Sequence, residues 1–402
     1  MKPRILFVDD ESNILQGLRR MLRSMRNEWT MDFAEGGEEA LKLLEGESYD
    51  VLVTDMKMPG IGGAELLDQV AERYPQMLRF ILSGEADTEA TFRTVVTSHQ
   101  FFPKPSNSER LIEVISHCLR RRSEFESIDT GALVTGVRCL ATSRSTFDAL
   151  ADLLDSESAT IEQAVELFAD EPALAAKVMQ LANSAYFGIG DPVFSPKAAA
   201  NLLGWDVLRA LLVNESFVSA YPSGPCRAAY EQAIAQAQSV SELSAWIAEQ
   251  RGASPQVLEQ ARLAGLLHNL GRLLLCDQAG DDYARVVVLA DEGKSLEDSE
   301  REVFAASQAV FGAYLAAAWG MPPAVVEAIR HHRQPGVSEQ SEDAGLPLLA
   351  VHAALGIVTA SDAGEPADTV AARLDTDFLG REGCAENIAD WTEGWRRLGS
   401  AA

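Results

Sequence analysis

The chain has 402 residues, 47% apolar and 23% charged, with a formal net charge of −26. That length predicts two or three domains of ordinary globular composition rather than one core. Residues 1–122 hold 16 Lys and Arg against 20 Asp and Glu, and residues 123–402 hold 18 against 40; so acidic a C-terminal part disfavours binding to a phosphate backbone.

MKPRILFVDD leads straight into a strand pattern, so no signal peptide is read. RILFVDD (4–10) predicts a buried strand ending in acids, and NILQGLRRMLRSM (13–25) an amphipathic helix. MDFAE (31–35) predicts a strand, GEEALKLLEG (37–46) a helix, and YDVLVTDMKMPG (49–60) a strand broken by Pro59-Gly60. A helix over GAELLDQVAERYP (63–75), a strand over LRFILSG (78–84) and a helix over DTEATFRTVVT (87–97) follow. The short strand QFFPKP (100–105) and the helix SERLIEVISHCL (108–119) close the series. Alternation of this kind implies a doubly wound parallel α/β sheet, with function at the C-terminal ends of its strands.

Chemistry-bearing residues fall at those ends. Asp9 and Asp10 close the first strand and Asp55 the third, so three carboxylates converge on one rim. Crowded carboxylates repel unless a cation sits among them, and an oxygen-only cluster suits Mg²⁺. A carboxylate can also attack phosphorus and form an aspartyl phosphate. Ser83, ending the fourth strand, could hydrogen-bond a phosphoryl oxygen, and Lys104, after the fifth, could neutralise another. In order and placement, VDD, DMKMPG, LSG and KP resemble the receiver domain of bacterial response regulators, over residues 3 to 121. The resemblance implies a flavodoxin-like fold with Asp55 as phosphoacceptor. It implies Mg²⁺ held by Asp9, Asp10, Asp55 and the backbone carbonyl of Lys57. It also implies Ser83 and Lys104 as the phosphate-sensing pair, Phe101 as the aromatic that turns inward when Ser83 moves, and a cis Lys104–Pro105 bond.

After SHCL the chain loses strand character. The closing helix is expected to run on to about Phe125, with a turn near Thr130-Gly131, and Arg120-Arg121-Arg122 reads as a helix end rather than a DNA footprint. From about residue 139 one apolar helix pattern follows another, an all-α bundle with its own core. In TIEQAVELFADEPALAAKVMQLANSAYFG (160–188), Pro172 suits the first turn of a helix capped by Asp170. Gly204 punctuates two helices, and AGLLHNLGRLLL (264–275) reads as one helix. DEPALAAKVMQLANSAYFG, with its Asn183-Ser184 pair, AGLLHNLGRLLL and FGAYLAAAWGMPPAVVEAIRHH together resemble the HDOD family, the HD-related output domain of bacterial signalling proteins. The expected organisation is a receiver over 1–122, a linker over 123–138, an HDOD bundle over 139–335 and a helical extension over 336–402.

An HD phosphohydrolase needs a first His, a His-Asp pair and a distant Asp to hold metal and activate water. By alignment these positions hold Gln238, His268-Asn269 and Leu355, and the His that many HDOD members carry before GAYL is Gln308. Three lost ligands imply a non-catalytic bundle without a metal. His331 and His332 are adjacent on a helix, point about 100° apart and cannot both face one ion. They and His268 read as structural residues, and Trp205 and Trp319 as core. No stretch approaches the roughly 18 to 20 uncharged apolar residues of a membrane span. Five scattered cysteines without a CxxC fit a reducing cytoplasm.

Together these features predict a cytoplasmic two-component response regulator, phosphorylated on Asp55 by a histidine kinase, whose HDOD domain binds a downstream signalling protein. A homodimer through the receiver is a further expectation, and nucleic acid is not an expected partner. The alternatives are a nucleotide or cyclic-dinucleotide sensor using the vestigial HD cleft (Gln238, His268, Asn269, Leu355) and a residual metal-dependent phosphohydrolase.

Overall fold

The computed structural model describes residues 2–83, 98–104, 108–125, 128–156, 158–184, 192–212, 222–338 and 345–401. Five strands, β1 (Arg4–Val8), β2 (Thr30–Ala34), β3 (Val51–Asp55), β4 (Leu78–Ser83) and β5 (Gln100–Pro103), form one parallel sheet in the order β2-β1-β3-β4-β5. β3 is buried at every position and β1 at four of its five, as strands covered by helices on both faces require. The helices α1 (Ser12–Met21), α2 (Gly37–Gly46), α3 (Gly63–Arg73) and α4 (Ser108–Arg122) turn apolar residues such as Leu15, Leu66 and Leu111 onto the sheet. The doubly wound reading of this part stands. The helix expected over 87–97 and the Lys104–Pro105 bond lie outside the described residues.

The expected continuation of α4 needs correction. It stops at Arg122, residues 123–125 turn, and Thr130-Gly131 lie inside a helix, α5 (Ile128–Gly136). Phe125 ends the run because its ring packs against Phe311 and Tyr314, 5.0 and 5.6 Å between centroids, which draws the chain off the helix axis.

The helical part continues with α6 (Arg144–Leu154), α7 (Ile161–Phe168), α8 (Pro172–Ala182), α9 (Pro196–Leu203), α10 (Trp205–Leu212) and the long α11 (Pro225–Gln250). Then come α12 (Pro255–Leu267), α13 (Leu270–Gln278), α14 (Gly280–Asp291), α15 (Leu296–Phe304), α16 (Gln308–Ala318) and α17 (Pro323–His331). The chain ends with α18 (Gly345–Asp362), α19 (Thr376–Arg381) and α20 (Ile388–Ala401). Gly204 separates α9 from α10 with a φ of 76°, a backbone region that glycine occupies at little cost. The cap of α8 is Glu171, not Asp170: the Glu171 carboxylate accepts from Leu174 N–H at 2.7 Å, the usual reach of an N-cap to N3.

AGLLHNLGRLLL is two helices and not one, broken at His268-Asn269 between α12 and α13. The break lets α13 cross α16 at very short range. A Cβ on Gly271 would lie 1.9 Å from the Gln308 carbonyl oxygen, and one on Gly312 would lie 2.9 Å from Gly271 N. The glycines of HNLG and FGAY are thus the two halves of one crossing. α18, packed on α11, α12 and α17, has 18 residues, a mean hydropathy of 1.4 and 72% of that window buried. By length and composition it could cross a membrane, which the sequence reading overlooked; here it is a core helix of the bundle.

Candidate functional site

β1 and β3 are parallel neighbours in the register Val8↔Thr54, so Asp9 and Asp55 emerge side by side on one edge. Asp9 is fully buried, Asp55 is 7% exposed and Asp10 is exposed, with ligand oxygens of all three within 4.8 Å of one another. Lys104, just past β5, places Nζ 2.6 Å from Asp9 Oδ2 and 2.7 Å from Asp55 Oδ1. Backbone N–H groups of Glu11 and Lys57 donate to Asp9 Oδ1 at 3.0 Å and Asp55 Oδ2 at 3.1 Å. Burial pushes the Lys104 ammonium down, but the Asp55 and Asp9 carboxylates outweigh it and hold Lys104 above its ordinary value. Three carboxylates against one ammonium leave an excess of negative charge with oxygen donors only, a set that fits a hard divalent cation such as Mg²⁺.

Ser83 ends β4 opposite Pro103 of β5, though its side chain lies outside the described residues. Phe101 pairs with Ile81 in that ladder and is 2% exposed, so its ring is turned inward. Sequence reasoning missed Gly63. A Cβ there would sit 2.0 Å from the Asp55 carbonyl oxygen, so only glycine lets α3 begin directly under the rim. Its place soon after Pro59-Gly60, opening a helical pattern, is the signal that could have found it.

The far side of β5 is bonded to the helical part. Gln100, buried, donates through Nε2 to the Ala317 and Ala318 carbonyls at 3.0 and 3.1 Å, at the C-terminal end of α16. Gln180 of α8 donates to the carbonyls of Ser98 and His99 at 3.2 and 2.9 Å. His99 Nδ1 accepts from Arg79 N–H at 3.0 Å, and burial, then the charges of Arg79 and Lys177, keep this imidazole neutral. Arg121 reaches Glu327, and Arg330 reaches Glu124. The strand whose far end leads to Lys104 is therefore anchored at its start, residues 98–100, to α8 and α16.

The HD-like positions fall differently from their alignment. Gln238 is exposed and donates to the Asp170 carbonyl at 3.1 Å. It is Gln236, two residues and about 200° around α11, whose Oε1 accepts from Asn269 Nδ2 at 3.0 Å. Leu355 is buried, but α18 meets this region through His352, one turn earlier, whose Nδ1 lies 2.7 Å from the His332 carbonyl. His268 is fully buried with Nδ1 2.7 Å from the Gly265 carbonyl, and its ring meets that of His332 edge-on at 5.4 Å. Burial lowers His268 to about 3 and holds His332 well below its ordinary value. Gln308 Nε2 lies 3.4 Å from His332 Nε2. His331 turns the other way, towards Glu327 at 3.4 Å, as the angle between adjacent helical residues requires. Trp319 is 1% exposed and Trp205 packs partly buried against the core. Asn183 and Ser184 brace the end of α8: the Asn183 amide both accepts from Val193 N–H at 2.7 Å and donates to the Val193 carbonyl at 3.0 Å, while Ser184 Oγ donates to the Leu181 carbonyl at 2.6 Å.

Residues 5–116 match the response regulator receiver domain family, and residues 140–335 match the HDOD domain family. The chain is similar to the hydrogenase transcriptional regulatory protein HoxA of Cupriavidus necator, 33% identical over 113 residues, 28% of this chain and 23% of that protein. It thus spans about a quarter of that relative. The response regulator MmoQ of Methylococcus capsulatus is 26% identical, with 60% of this chain and 97% of that one covered at a TM-score of 0.47. A virulence factor of Campylobacter jejuni is 15% identical and covers 65% of this chain and 94% of its own at a TM-score of 0.51, a likeness of fold.

Proposed function

We propose that the chain, with its receiver and HDOD domains, is a response regulator that takes a phosphoryl group on Asp55 from a histidine kinase. One observation carries this reading: Asp55, Asp9 and Lys104 meet at one rim, while β5, the strand leading to Lys104, is hydrogen-bonded on its outer side to the helical part. A carboxylate oxygen of Asp55 attacks the phosphorus of a phosphohistidine; a P–O bond forms as the P–N bond breaks, and the imidazole leaves with its electron pair. Asp9, Asp10, Asp55 and the Lys57 carbonyl would hold Mg²⁺, which when bound neutralises charge between the carboxylates and the phosphoryl oxygens. The new group adds about 1.5 to 2 negative charges. Lys104 then exchanges a carboxylate for a phosphoryl oxygen, Ser83 takes another, and Phe101 follows Ser83. A shift in Phe101 reaches its neighbour Gln100 and so the end of α16.

The output is binding and not hydrolysis. Gln308 Nε2 lies beside His332, and Asn269, next in sequence to His268, pairs with Gln236; an amide lacks the charge a metal-bridging carboxylate supplies. An acidic bundle suits a protein partner, and the buried free cysteines suit a reducing cytoplasm. A receiver homodimer through β5 and α4 would have to displace the contact with α16.

Hydrogen exchange on the full chain, with and without Mg²⁺ and beryllofluoride, tests the coupling. Protection changes are expected at 98–104 and in α8 and α16, and Asp55→Asn abolishes them. Changes confined to the sheet rim would overturn the coupling. Metal analysis of untagged protein tests the output: a stoichiometric transition metal in the bundle would sink the non-catalytic reading.

A further inference from the structure

A cavity of about 400 Å³ lies between the first turns of α11 and helix α14, a size typical of small-molecule sites. Ala228, Ala229, Val287 and Leu296 give it an apolar wall. Arg272 of α13 stands in its lining and is only 5% exposed. Its Nε is buried without a hydrogen-bond partner, and among the described residues its guanidinium forms no ion pair. None of His268, Asn269, Gln308 and His332 lines this space.

The local charge does not balance. Glu300, 1% exposed, is the buried carboxylate that feels both Arg272 and Arg333. Burial, then the Arg272 charge beside it, pulls Arg333 below its ordinary value. Glu297 is already paired with Arg301 at 2.6 Å. Among the described residues, Arg272, almost fully buried, and the half-buried Arg333 thus share the one buried carboxylate of Glu300, leaving positive charge in excess beside the cavity, an arrangement that an anionic ligand relieves. Arginine's planar fork matches a carboxylate in two parallel bonds. Asp291, exposed at the lining, disfavours a second negative charge, which excludes a phosphate dianion in favour of a monoanion.

We infer that this cavity binds a small monocarboxylate with an apolar body, its carboxylate on Arg272 and its body against Ala229, Val287 and Leu296. A free acid and an apolar α-amino acid share that chemistry; the amino form would add its ammonium to Asp291. The site goes beyond the phosphorylation reading and does not depend on it.

Calorimetric titration of the full chain with 4-methylpentanoate and with leucine, which differ by the ammonium group, tests the assignment. Saturable binding of at least one is expected, at least tenfold weaker in Arg272→Gln. Ala229→Leu keeps every charge and fills the cavity, so it is expected to abolish binding even if Arg272→Gln fails to fold. Asp291→Asn weakening leucine alone identifies the amino acid form; binding of 4-methylpentanoate indifferent to that change identifies the free acid. No binding of either probe into the millimolar range, inorganic phosphate binding as tightly, or unchanged affinity in Ala229→Leu overturns the inference. Asp55→Asn is expected to leave the binding unchanged, so this site and the phosphorylation reading fail separately.

Discussion

Gln100→Ala tests the anchoring of β5 most directly. The Gln100 amide is buried and donates to two carbonyls at the end of α16. The Ala317 carbonyl keeps a bond from Gly320 N–H at 3.1 Å, whereas the Ala318 carbonyl loses the donor that satisfies it. A neutral hydrogen bond contributes about 1 kcal/mol net, and a buried carbonyl left unpaired costs about 1–3 kcal/mol. The expected loss is therefore roughly 2–4 kcal/mol, concentrated between the two domains. Urea denaturation of the full chain measures the total, and hydrogen exchange locates it, with protection falling at 98–103 and 318–321. Gln69→Ala, on the exposed face of α3, is the control and should stay within about 0.5 kcal/mol. If Gln100→Ala also stays within that margin with unchanged protection at both segments, the anchor contributes nothing and the proposed route from the phosphoacceptor to the helices fails.

Gly63→Ala pushes a methyl group into the Asp55 carbonyl; a loss of about 1–3 kcal/mol in a thermal or urea melt is expected, with a weakened response to beryllofluoride. Wild-type stability would refute the close approach. Asn183→Ala removes both bonds to Val193, and the Val193 amide, which donates to Asn183 Oδ1, should exchange faster; unchanged exchange there would contradict the brace. Burial raises Glu171 to about 7 from an ordinary 4.5. Between those values the folded state keeps a proton that the unfolded chain has lost, so this contribution to stability is present at low pH and disappears as pH rises to about 7. Glu171→Gln lacks the dependence and should gain on the wild type between roughly pH 5 and 8, by at most about 3 kcal/mol. A gap between the two proteins that is flat across that range would show the carboxyl to be solvated.

The α/β half was almost wholly legible in the sequence, because its signals are local. A parallel strand buried on both faces must be a continuous apolar run, and parallel neighbours bring their last residues to one edge, so Asp9, Asp55 and Lys104 could be placed together from order alone. The helices of the second half could likewise be recognised from their periodicity. What sequence could not fix was anything set by rotation about a helix axis or by a partner far along the chain. Gln238 and Gln236 differ by two positions, and only the packing of α11 decides which meets Asn269. Glu171 caps α8 where Asp170 was expected, because a cap is chosen by backbone direction and not by residue preference. HNLG breaks a helix whose apolar pattern runs on unbroken, since its glycine must admit Gly312 from another helix. The unbalanced charge at Arg272 and the bonding of Gln100 to α16 are likewise tertiary facts: each depends on which groups are absent or present across a gap that no spacing in the chain records.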